Sequence, residues 1–439
     1  MIQKIKTWWL VSLLVKLAIS AFLPLSSDEA YYWVWSKNLQ LSYFDHPAMV
    51  SWLFKLGEPF EFLGQAVRWP AVLLGHLTII VWLLILRPIV KEETLFYWFL
   101  LCLFAPLTGF GSMIVTPDLP VLFFWALSIW SLKNALDKPN VFNAALLGAS
   151  LGLGFCSKYH IVLFVPCALF YIIAEKLWRK INFQSILVVI LFGAVFSTPV
   201  LYWNYQNSFS SFLFQINHGL NRPTWEPFWT YSYIIGQALL IFPIPLVLAI
   251  RAKLDSKQRF LIYFSWIPLG FFMLSSTKAL VEMNWPIIAY PSFYALAAIG
   301  AKSLRPIKST VAIWGLAAVL VLFQAIYPSA DPAIDKLKEI HKFDQIISVA
   351  PKYKPFFAET YQMASAIWYK TKTPTYKLHQ MSRHDFYDSL TEGIPTTNTF
   401  YIAMDKTSGY PNWVSDQGFH ATVVEELNDP FVIVRLSKK

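Results

Sequence analysis

Acidic side chains stand in two segments, one long and one short, that separate long apolar runs of this sequence. Asp28 and Glu29 stand in SSDEAYYWVW, and Asp118 stands between two prolines in TPDLP. A carboxylate next to a membrane-length apolar run is energetically costly unless it has a partner or a task, and carboxylates commonly act as general bases. Each could equally be a helix cap, because negative charge is favoured in the first turn of a helix.

Cations and further polar residues occupy the other short segments. Lys158, in CSKYH, is the basic residue of an otherwise apolar stretch. Its ammonium could hold a phosphate as a compact point charge, or it could snorkel to lipid headgroups. Other candidates for substrate binding are His46, Arg222, Lys278 and Asn284, and the aromatic Tyr31. Carboxylates, cations and aromatic rings together are what a donor with a lipid tail, a phosphate and a sugar would require.

The composition places the chain in a membrane. Of 439 residues, 56% are hydrophobic and 14% are charged, whereas soluble domains carry about 25% charged residues. The net charge of +10 does not indicate nucleic-acid binding, because most Lys and Arg lie in short loops between apolar runs. The three cysteines fall inside apolar segments and suggest neither disulfides nor a metal site. The first apolar run is predicted to be a retained span.

The apolar runs predict an α-helical polytopic membrane protein with about eleven transmembrane helices. The predicted spans are 7–25, 69–90, 94–113, 119–135, 141–157, 160–178, 183–203, 229–250, 260–276, 285–301 and 309–327. If the N-terminus is cytoplasmic, 16 Lys and Arg lie in cytoplasmic segments and six in the opposite loops. This bias follows the positive-inside rule and puts the candidate residues on the outer face.

Two parts of the chain are predicted to lie outside the membrane. We expect a transmembrane domain over 1–327 with an outer loop at 26–68, and a small α/β domain over 328–439. In the loop, Ser27 is predicted to cap a helix that begins at Asp28, and Pro47 to begin a second helix. In the C-terminal domain the pattern predicts strands at 343–349, 400–403, 421–425 and 431–436 and a helix at 359–370.

Six motifs resemble those of polyprenyl-phosphate-sugar-dependent glycosyltransferases of the C-type fold. The family includes protein O-mannosyltransferases and bacterial enzymes that add aminoarabinose, galacturonic acid or related sugars to lipid A. The motifs are DEAYYWVWSKNLQLSYFDHPAMVSWL, TPDLPVLFFW, GLGFCSKYH, MNWPIIAYP, FFAETYQMASAIWYK and SRHDFYD. The likeness covers nearly the whole chain. The first motif is long and specific, although Ala48 stands where relatives often have a second proline.

The resemblance implies an inverting sugar transfer and a role for each of several residues. Asp28 would be the general base or the orienter of the acceptor hydroxyl, and Asp118 would position the acceptor or the sugar in the same cavity. Lys158 would be the first candidate to stabilise charge on the departing lipid phosphate, with Lys278 and Arg222 behind it.

The resemblance also implies the substrates and the location. The donor would be a polyprenyl-phosphate sugar, and the acceptor lipid A, another glycolipid or a protein. The enzyme would sit in the cell inner membrane with its C-terminal domain in the periplasm. No cofactor is certain: some relatives need a divalent metal and others do not, and the set Asp28, Asp118 and His46 leaves a metal open.

Two other classes of function compete with a transferase. A transporter or flippase of lipid-linked sugars would have ionisable residues near the middle of its spans, discontinuous helices and repeated halves. Lys16 is the clear mid-span charge, and no repeat stands out. A non-catalytic scaffold would leave the paired acidic motifs unexplained, and about eleven spans are many for anchoring one small domain.

Overall fold

The chain divides into two compact units. The structure, a computed structural model, describes residues 1–220, 224–327, 340–427 and 430–438. The first unit, here the membrane unit, comprises Met1–Phe22 and Leu41–Leu320, and the second, the sheet unit, comprises Leu23–Gln40 and Val321–Lys439. The segment Leu23–Gln40 therefore groups with the C-terminal part of the chain, whereas the sequence-based division had placed residues 26–40 in the outer loop of the transmembrane domain.

Long apolar runs form most of the α-helices. Inside lipid, a helix satisfies every backbone hydrogen bond within its own segment, so apolar runs of this length fold as helices. The helices of the first 327 residues are α1 Ile2–Phe22, α2 Ser27–Lys37, α3 Met49–Gly57, α4 Trp69–Leu86, α5 Glu92–Phe104, α6 Asp118–Asp137, α7 Val141–Ser157, α8 Phe164–Ala174, α9 Phe183–Gln206, α10 Ser210–Leu220, α11 Pro227–Ile241, α12 Pro243–Ile250, α13 Phe260–Ser275, α14 Tyr290–Gly300 and α15 Leu304–Ile326. Short 3₁₀ segments include Tyr159–Leu163 and Trp285–Ala289.

At least one α-helix overlaps each of the eleven predicted spans, and the polytopic helical fold class is confirmed. Among the described residues, five helices are long and apolar enough to cross a membrane by themselves, and the pair α11 and α12, bent by 88°, would make a sixth span. Four further apolar helices are shorter than a full span. The predicted span 94–113 is interrupted, since α5 ends at Phe104 and Pro106 disfavours helical backbone at Ala105.

Both helix starts predicted in the outer loop were wrong. The N-cap of α2 is Ser26, whose hydroxyl accepts a hydrogen bond from the Glu29 N–H while the Glu29 carboxylate accepts one from the Ser26 N–H. This reciprocal capping box needs a Glu three residues after the cap, which Ser26 has and Ser27 lacks. Helix α3 begins at Met49 without a side-chain cap, because Pro47 instead pairs with Ser42 in an isolated β-bridge.

The sheet unit is a small α/β domain built on five strands. They are β1 Phe356–Ala358, β2 Tyr376–Lys377, β3 Thr399–Asp405, β4 Phe419–Glu426 and β5 Phe431–Lys438, in the order β2-β1-β3-β5-β4. Pairs β1–β2 and β1–β3 are parallel, and β3–β5 and β4–β5 are antiparallel. Apolar side chains of these strands, among them Phe400, Ile402 and Val434, form its core.

Three helices alternate with these strands along the sequence. They are α16 Asp344–Val349, α17 Tyr361–Thr371 and α18 Asn412–Asp416, with a 3₁₀ segment at Phe386–Ser389. The predicted helix at 359–370 and three of the predicted strands are present. The strand predicted at 343–349 was wrong, because that segment is α16. A short apolar run is compatible with either structure by periodicity alone.

Candidate active site

Three predicted site residues of the membrane unit meet at one carboxylate. Lys158 Nζ lies 2.7 Å from Asp118 Oδ1, and Asn284 Nδ2 donates to Asp118 Oδ2 at 2.6 Å. The side chains of Lys158 and Asp118 are only 7% and 5% exposed. Thr116 also donates its hydroxyl to Asp118 Oδ2 at 3.3 Å. Residues from three distant motifs therefore form one buried, charge-neutralised cluster.

Asp118 owes its position to the start of α6. It is the first residue of that helix, directly after Thr116 and Pro117, where the unpaired N–H groups and the helix dipole favour negative charge. The alternative prediction that Asp118 caps this helix was wrong: the N-cap is Pro117, no side chain makes a cap hydrogen bond there, and the Asp118 carboxylate bonds to Lys158 and Asn284 instead.

Small residues on α7 bring the helix that ends at Lys158 close to α9. A Cβ atom on Gly148 would lie 2.4 Å from the Val189 carbonyl oxygen, and one on Gly152 would lie 2.6 Å from Phe196 Cβ. Only glycine permits this backbone approach, as in other small-residue helix interfaces in membranes. The helix ends where Lys158 takes an extended conformation, with φ −158° and ψ 139°.

The segment after Lys158 is tied to a second element. The hydroxyl of Tyr159 lies 2.8 Å from Ser211 Oγ on α10 and accepts from Asn204 Nδ2 of α9 at 3.5 Å. Asn204 is fully buried. The Lys158 backbone is thus fixed on both sides, by the glycine contacts before it and by Tyr159 after it.

A second network holds Asn284 in place. Asn284 precedes the 3₁₀ segment Trp285–Ala289. Gln237 of α11 donates to the carbonyl oxygen of Met283 at 3.0 Å and accepts from the Tyr290 hydroxyl at 2.7 Å. Both ends of the MNWPIIAYP motif are therefore bonded to one glutamine, the first through the Met283 carbonyl oxygen and the other through the Tyr290 hydroxyl.

The geometry changes the interpretation of Lys158. The sequence suggested an isolated cation that could snorkel to headgroups, whereas its side chain is buried and paired with Asp118. An ammonium has three N–H donors, and Asp118 Oδ1 takes one of them. The pair keeps a positive charge fixed in a buried position, and the remaining donor capacity suits an anion such as a phosphate.

The other candidates of the membrane unit are placed differently. His46 is half-buried in the loop before α3, next to Asp45, whose carbonyl oxygen accepts a hydrogen bond from Gln215 of α10 at 2.7 Å. Lys278 is exposed. Arg222 lies outside the described residues.

Three candidates belong to α2 in the sheet unit. Asp28 is half-buried in the first turn of the helix. Glu29 is fully buried and its carboxylate completes the capping box with Ser26, which is a structural contact. The Tyr31 hydroxyl accepts a hydrogen bond from the Phe386 N–H at 2.9 Å, and the Tyr31 side chain is buried.

Sequence reasoning missed several buried polar groups. Arg68 is fully buried and donates to the Ser20 carbonyl oxygen at 3.1 Å. In the sheet unit, Lys377 is buried against Asp385 and Asp388. Burial alone would raise the pKa of Asp388, but hydrogen bonds and charge from Lys377 and two backbone N–H donors lower it below the ordinary value. The sequence signal that could have indicated this ion cluster was the spacing of the two acids, three residues apart, in SRHDFYD.

The described residues do not fit a metal site. No group of three or more His, Cys, Asp or Glu that could hold a metal ion occurs among them. Both oxygens of the Asp118 carboxylate are already engaged, one by an ammonium and one by an amide. The sequence leaves a divalent metal open, and this cluster adds no support for one.

Comparison with solved structures decides the fold. The chain is similar to ArnT from Cupriavidus metallidurans bound to undecaprenyl phosphate, with a TM-score of 0.66 at 14% identity over 99% of this chain and 97% of that chain. The apo form of the same protein gives a TM-score of 0.67. This chain has the C-type glycosyltransferase fold. The fold that the motifs imply by resemblance is thereby confirmed.

Sequence comparisons agree with the C-type fold. Residues 45–203 match the family described as dolichyl-phosphate-mannose-protein mannosyltransferase. The chain is 26% identical over 318 residues to the lipid A galacturonosyltransferase RgtD of Rhizobium johnstonii, covering 69% of this chain and 66% of that protein. It is 26% identical over 320 residues to the undecaprenyl phosphate-alpha-4-amino-4-deoxy-L-arabinose arabinosyl transferase of Pseudomonas paraeruginosa, covering 62% and 56%. The aligned part thus spans just under two thirds of the first relative and just over half of the second.

Proposed function

We propose that this chain is an inverting glycosyltransferase that moves a sugar from a polyprenyl-phosphate donor to a lipid acceptor. The observation that carries the proposal is the buried Lys158–Asp118 pair with Asn284 in a C-type fold. A buried, fixed cation is what a lipid-linked phosphate requires, and the aligned relatives are named for sugar transfer to lipid A or from an undecaprenyl-phosphate donor.

The proposed reaction is a direct displacement at the anomeric carbon. The acceptor hydroxyl oxygen attacks this carbon, the bond from the carbon to the phosphate oxygen breaks, and the polyprenyl phosphate leaves with the bonding electrons. Asp28 accepts the hydroxyl proton or orients the hydroxyl. A lipid phosphate is already a good leaving group, so the reaction needs charge stabilisation more than a strong acid.

Lys158 supplies that stabilisation. Negative charge increases on the phosphate as the sugar departs, and a preoriented cation in a water-poor site stabilises it without reorganisation. Asp118 and Asn284 then act on Lys158: the carboxylate orients the ammonium group, and the Asn284 amide holds the carboxylate. This role for Asp118 replaces the one implied by resemblance, in which it positions the acceptor or the sugar.

The remaining candidates have supporting roles in this proposal. Lys278 is exposed and can contact the donor phosphate or headgroups from its loop, and His46 and Tyr31 lie in the first motif with Asp28. Arg222 keeps its predicted role as a further cation. Glu29 is assigned to the capping box rather than to substrate.

We further propose that transfer occurs at the outer face of the inner membrane, with the sheet unit in the periplasm. The excess of Lys and Arg on the opposite side supports this orientation. The relatives named for lipid A sugars favour lipid A as the acceptor and either a uronic acid or an amino-pentose as the sugar. Another glycolipid or a protein is the alternative acceptor.

A flippase of lipid-linked sugars remains the second candidate, because one of its expected features is present. Helices α11 and α12 form a discontinuous pair bent by 88°. The local sequence accounts for the break, since Pro243 follows Phe242, whose φ of 70° ends the first helix. Lys16, the mid-span charge, donates to Ser112 Oγ at 2.8 Å and is buried.

Purified protein in nanodiscs tests the transferase directly. Incubation with undecaprenyl-phosphate galacturonic acid or aminoarabinose and lipid A should give sugar-modified lipid A by mass spectrometry. Lys158→Ala should lose at least about a hundredfold of this activity, the magnitude typical of removing one transition-state donor. Lys55→Ala is the matched control, because Lys55 is an exposed lysine in the last turn of α3 that pairs with Glu58 three residues later.

Two outcomes would contradict the proposal. Sugar transfer at the wild-type rate by Lys158→Ala would show that Lys158 does not stabilise the donor phosphate. Movement of a labelled donor between leaflets of proteoliposomes, with no transfer to any lipid or protein acceptor, would favour the flippase.

A further inference from the structure

A buried ion cluster lies in the sheet unit. Lys377 Nζ donates to Asp385 Oδ2 at 2.7 Å, to Asp388 Oδ2 at 2.5 Å and to the Arg383 carbonyl oxygen at 2.8 Å. All three hydrogens of the ammonium are used. The side chains of Lys377 and Asp385 are 0% exposed, and that of Asp388 is 4% exposed. A surface ion pair would have little structural effect, whereas a fully desolvated and fully bonded one fixes the geometry of the groups around it.

The cluster shapes the short 3₁₀ segment Phe386–Ser389. Asp385 is its N-cap and accepts from the Tyr387 N–H at 2.8 Å, while Asp388 accepts from the Asp385 N–H at 2.9 Å. The same two carboxylates therefore bind Lys377 and form a reciprocal capping box. The backbone N–H of Phe386, between them, is held in one direction.

That N–H makes a bond to α2. Phe386 donates to the Tyr31 hydroxyl oxygen at 2.9 Å, and this bond is buried. The Tyr31 ring also packs against Tyr361 at 4.3 Å and lies nearly parallel to Tyr387 at 6.0 Å between ring centroids. Tyr31 is thus clamped by a hydrogen bond and by two rings of the same unit.

Tyr31 and Asp28 are neighbours on α2. They are three residues apart on one helix, so their side chains lie one above the other on the same side. A clamp on Tyr31 fixes both the rotation of α2 about its axis and its position along the axis. Both quantities set the direction of the Asp28 carboxylate.

We propose that the Lys377–Asp385–Asp388 cluster positions Asp28, acting through the Phe386 N–H and the Tyr31 hydroxyl. Tyr31 is then a positioning residue and not a substrate ligand. This inference rests on the proposed role of Asp28 as general base or orienter. Displacing a reacting group by about 1 Å costs up to about a hundredfold in rate, so a small rotation of α2 is sufficient for a large kinetic effect.

Tyr31→Phe is the variant that tests the clamp. It removes the hydroxyl and keeps the ring packing. We expect kcat to fall about tenfold or more, with the KM for the donor nearly unchanged and near-normal melting. Tyr353→Phe is the matched control: Tyr353 is in the same unit and its hydroxyl bonds to Glu425 at 2.6 Å, on a part of the unit that does not include α2. It should turn over normally.

A double-variant cycle separates positioning from general stability. If Tyr31 acts through Asp28, Tyr31→Phe should have almost no effect on the residual rate of Asp28→Asn, because the group it positions is already lost. Asp388→Asn, which weakens the cluster from the other end, should show the same non-additivity, so the test does not depend on one variant.

Each contrary result identifies what failed. Two results would overturn the positioning role and leave the proposed function intact. The first is that Tyr31→Phe lowers the rate by the same factor in the wild-type and Asp28→Asn backgrounds. The second is that Tyr31→Phe has normal turnover while Asp28→Asn is impaired. Normal turnover by Asp28→Asn would remove Asp28 from the mechanism and would overturn this inference with it.

Discussion

Lys158 and Asp118 are forty residues apart in sequence, yet the ammonium nitrogen of one lies 2.7 Å from a carboxylate oxygen of the other in a buried position. The chain therefore carries a fixed positive charge with its own counter-ion in the membrane unit. Because the pair is desolvated, each partner depends on the other, and substitutions at the two positions should not act independently.

Removing one partner should destabilise the protein more than removing both. Asp118→Asn leaves the Lys158 ammonium without its counter-ion, and breaking a buried pair in this way typically costs about 3–5 kcal/mol. Lys158→Met leaves the Asp118 carboxylate without its counter-ion. The double variant buries no charge, and we expect it to regain much of the lost stability while it stays inactive. Melting temperatures of the four proteins in detergent measure this; strictly additive losses would show that the pair is not coupled.

Arginine should be a poor substitute at position 158. It keeps the positive charge, but its planar fork cannot reproduce the contacts of a point charge in a site this confined. We expect Lys158→Arg to insert and melt nearly normally and to lose about tenfold or more in kcat/KM for the donor. Lys55→Arg, at an exposed lysine, is the control. Wild-type kinetics for Lys158→Arg would mean that only the charge matters.

Asp28→Asn should separate catalysis from capping. The change keeps the size of the side chain and removes its negative charge, and loss of a general base typically lowers the rate by about 10²–10⁴. The protein should still fold, insert and bind donor. The control is Ser26→Ala, which removes the observed cap of α2 and should cost roughly 1 kcal/mol of stability with near-normal turnover per folded molecule. Asp28→Asn turnover within about threefold of wild type would exclude the catalytic role.

The charge asymmetry predicts the orientation of the chain. With the N-terminus in the cytoplasm, a reporter fused after Lys439 should be active only if it is a kind that works outside the cytoplasm. The physical reason is the excess of Lys and Arg, 16 against six, in segments assigned to the cytoplasm. A cytoplasm-only reporter that is active at this position would reverse the assignment.

Acid should loosen the sheet unit through Asp388. Burial would raise the pKa of this carboxyl group, but Lys377 and two backbone donors lower it below the ordinary value of 3.8. A carboxyl group whose pKa is lower in the folded than in the unfolded state stabilises the fold at pH values above its unfolded-state pKa. This stabilisation is lost as the pH falls from about 4 through the folded-state pKa.

Hydrogen exchange between pH 7 and pH 3 can follow this effect. Protection of residues 376–389 in the full-length protein should fall below about pH 4, after correction for the intrinsic exchange rate. Asp388→Asn should have lower protection at pH 7 and a smaller change with pH. An identical pH response in wild type and Asp388→Asn would show that another group controls this region.

The residues of the candidate site lie in four motifs that are visible in the sequence: the long motif of the first loop, and the short motifs TPDLP, CSKYH and MNWPIIAYP. Which partner each would have was not. Nothing in CSKYH indicates that its lysine bonds to the acid of TPDLP, or that MNWPIIAYP supplies an amide to the same carboxylate. Such pairings depend on how α6, α7 and the segment before α14 pack. Helix packing depends in turn on where bulky side chains are present and where they are absent, as at Gly148 and Gly152 of α7.

The sequence by itself determined that much of the chain lies in lipid, approximately where its long apolar helices run, and the residue types of its site. These follow from short-range properties: apolar runs long enough to cross lipid, and loops with caps and charges. Only the tertiary structure decided that α2 groups with the C-terminal strands, that Lys158 is paired, and that Lys377 sits between two acids. The reason is that a buried charge takes its partner from any element that packs beside it, and this neighbour can be far away along the chain.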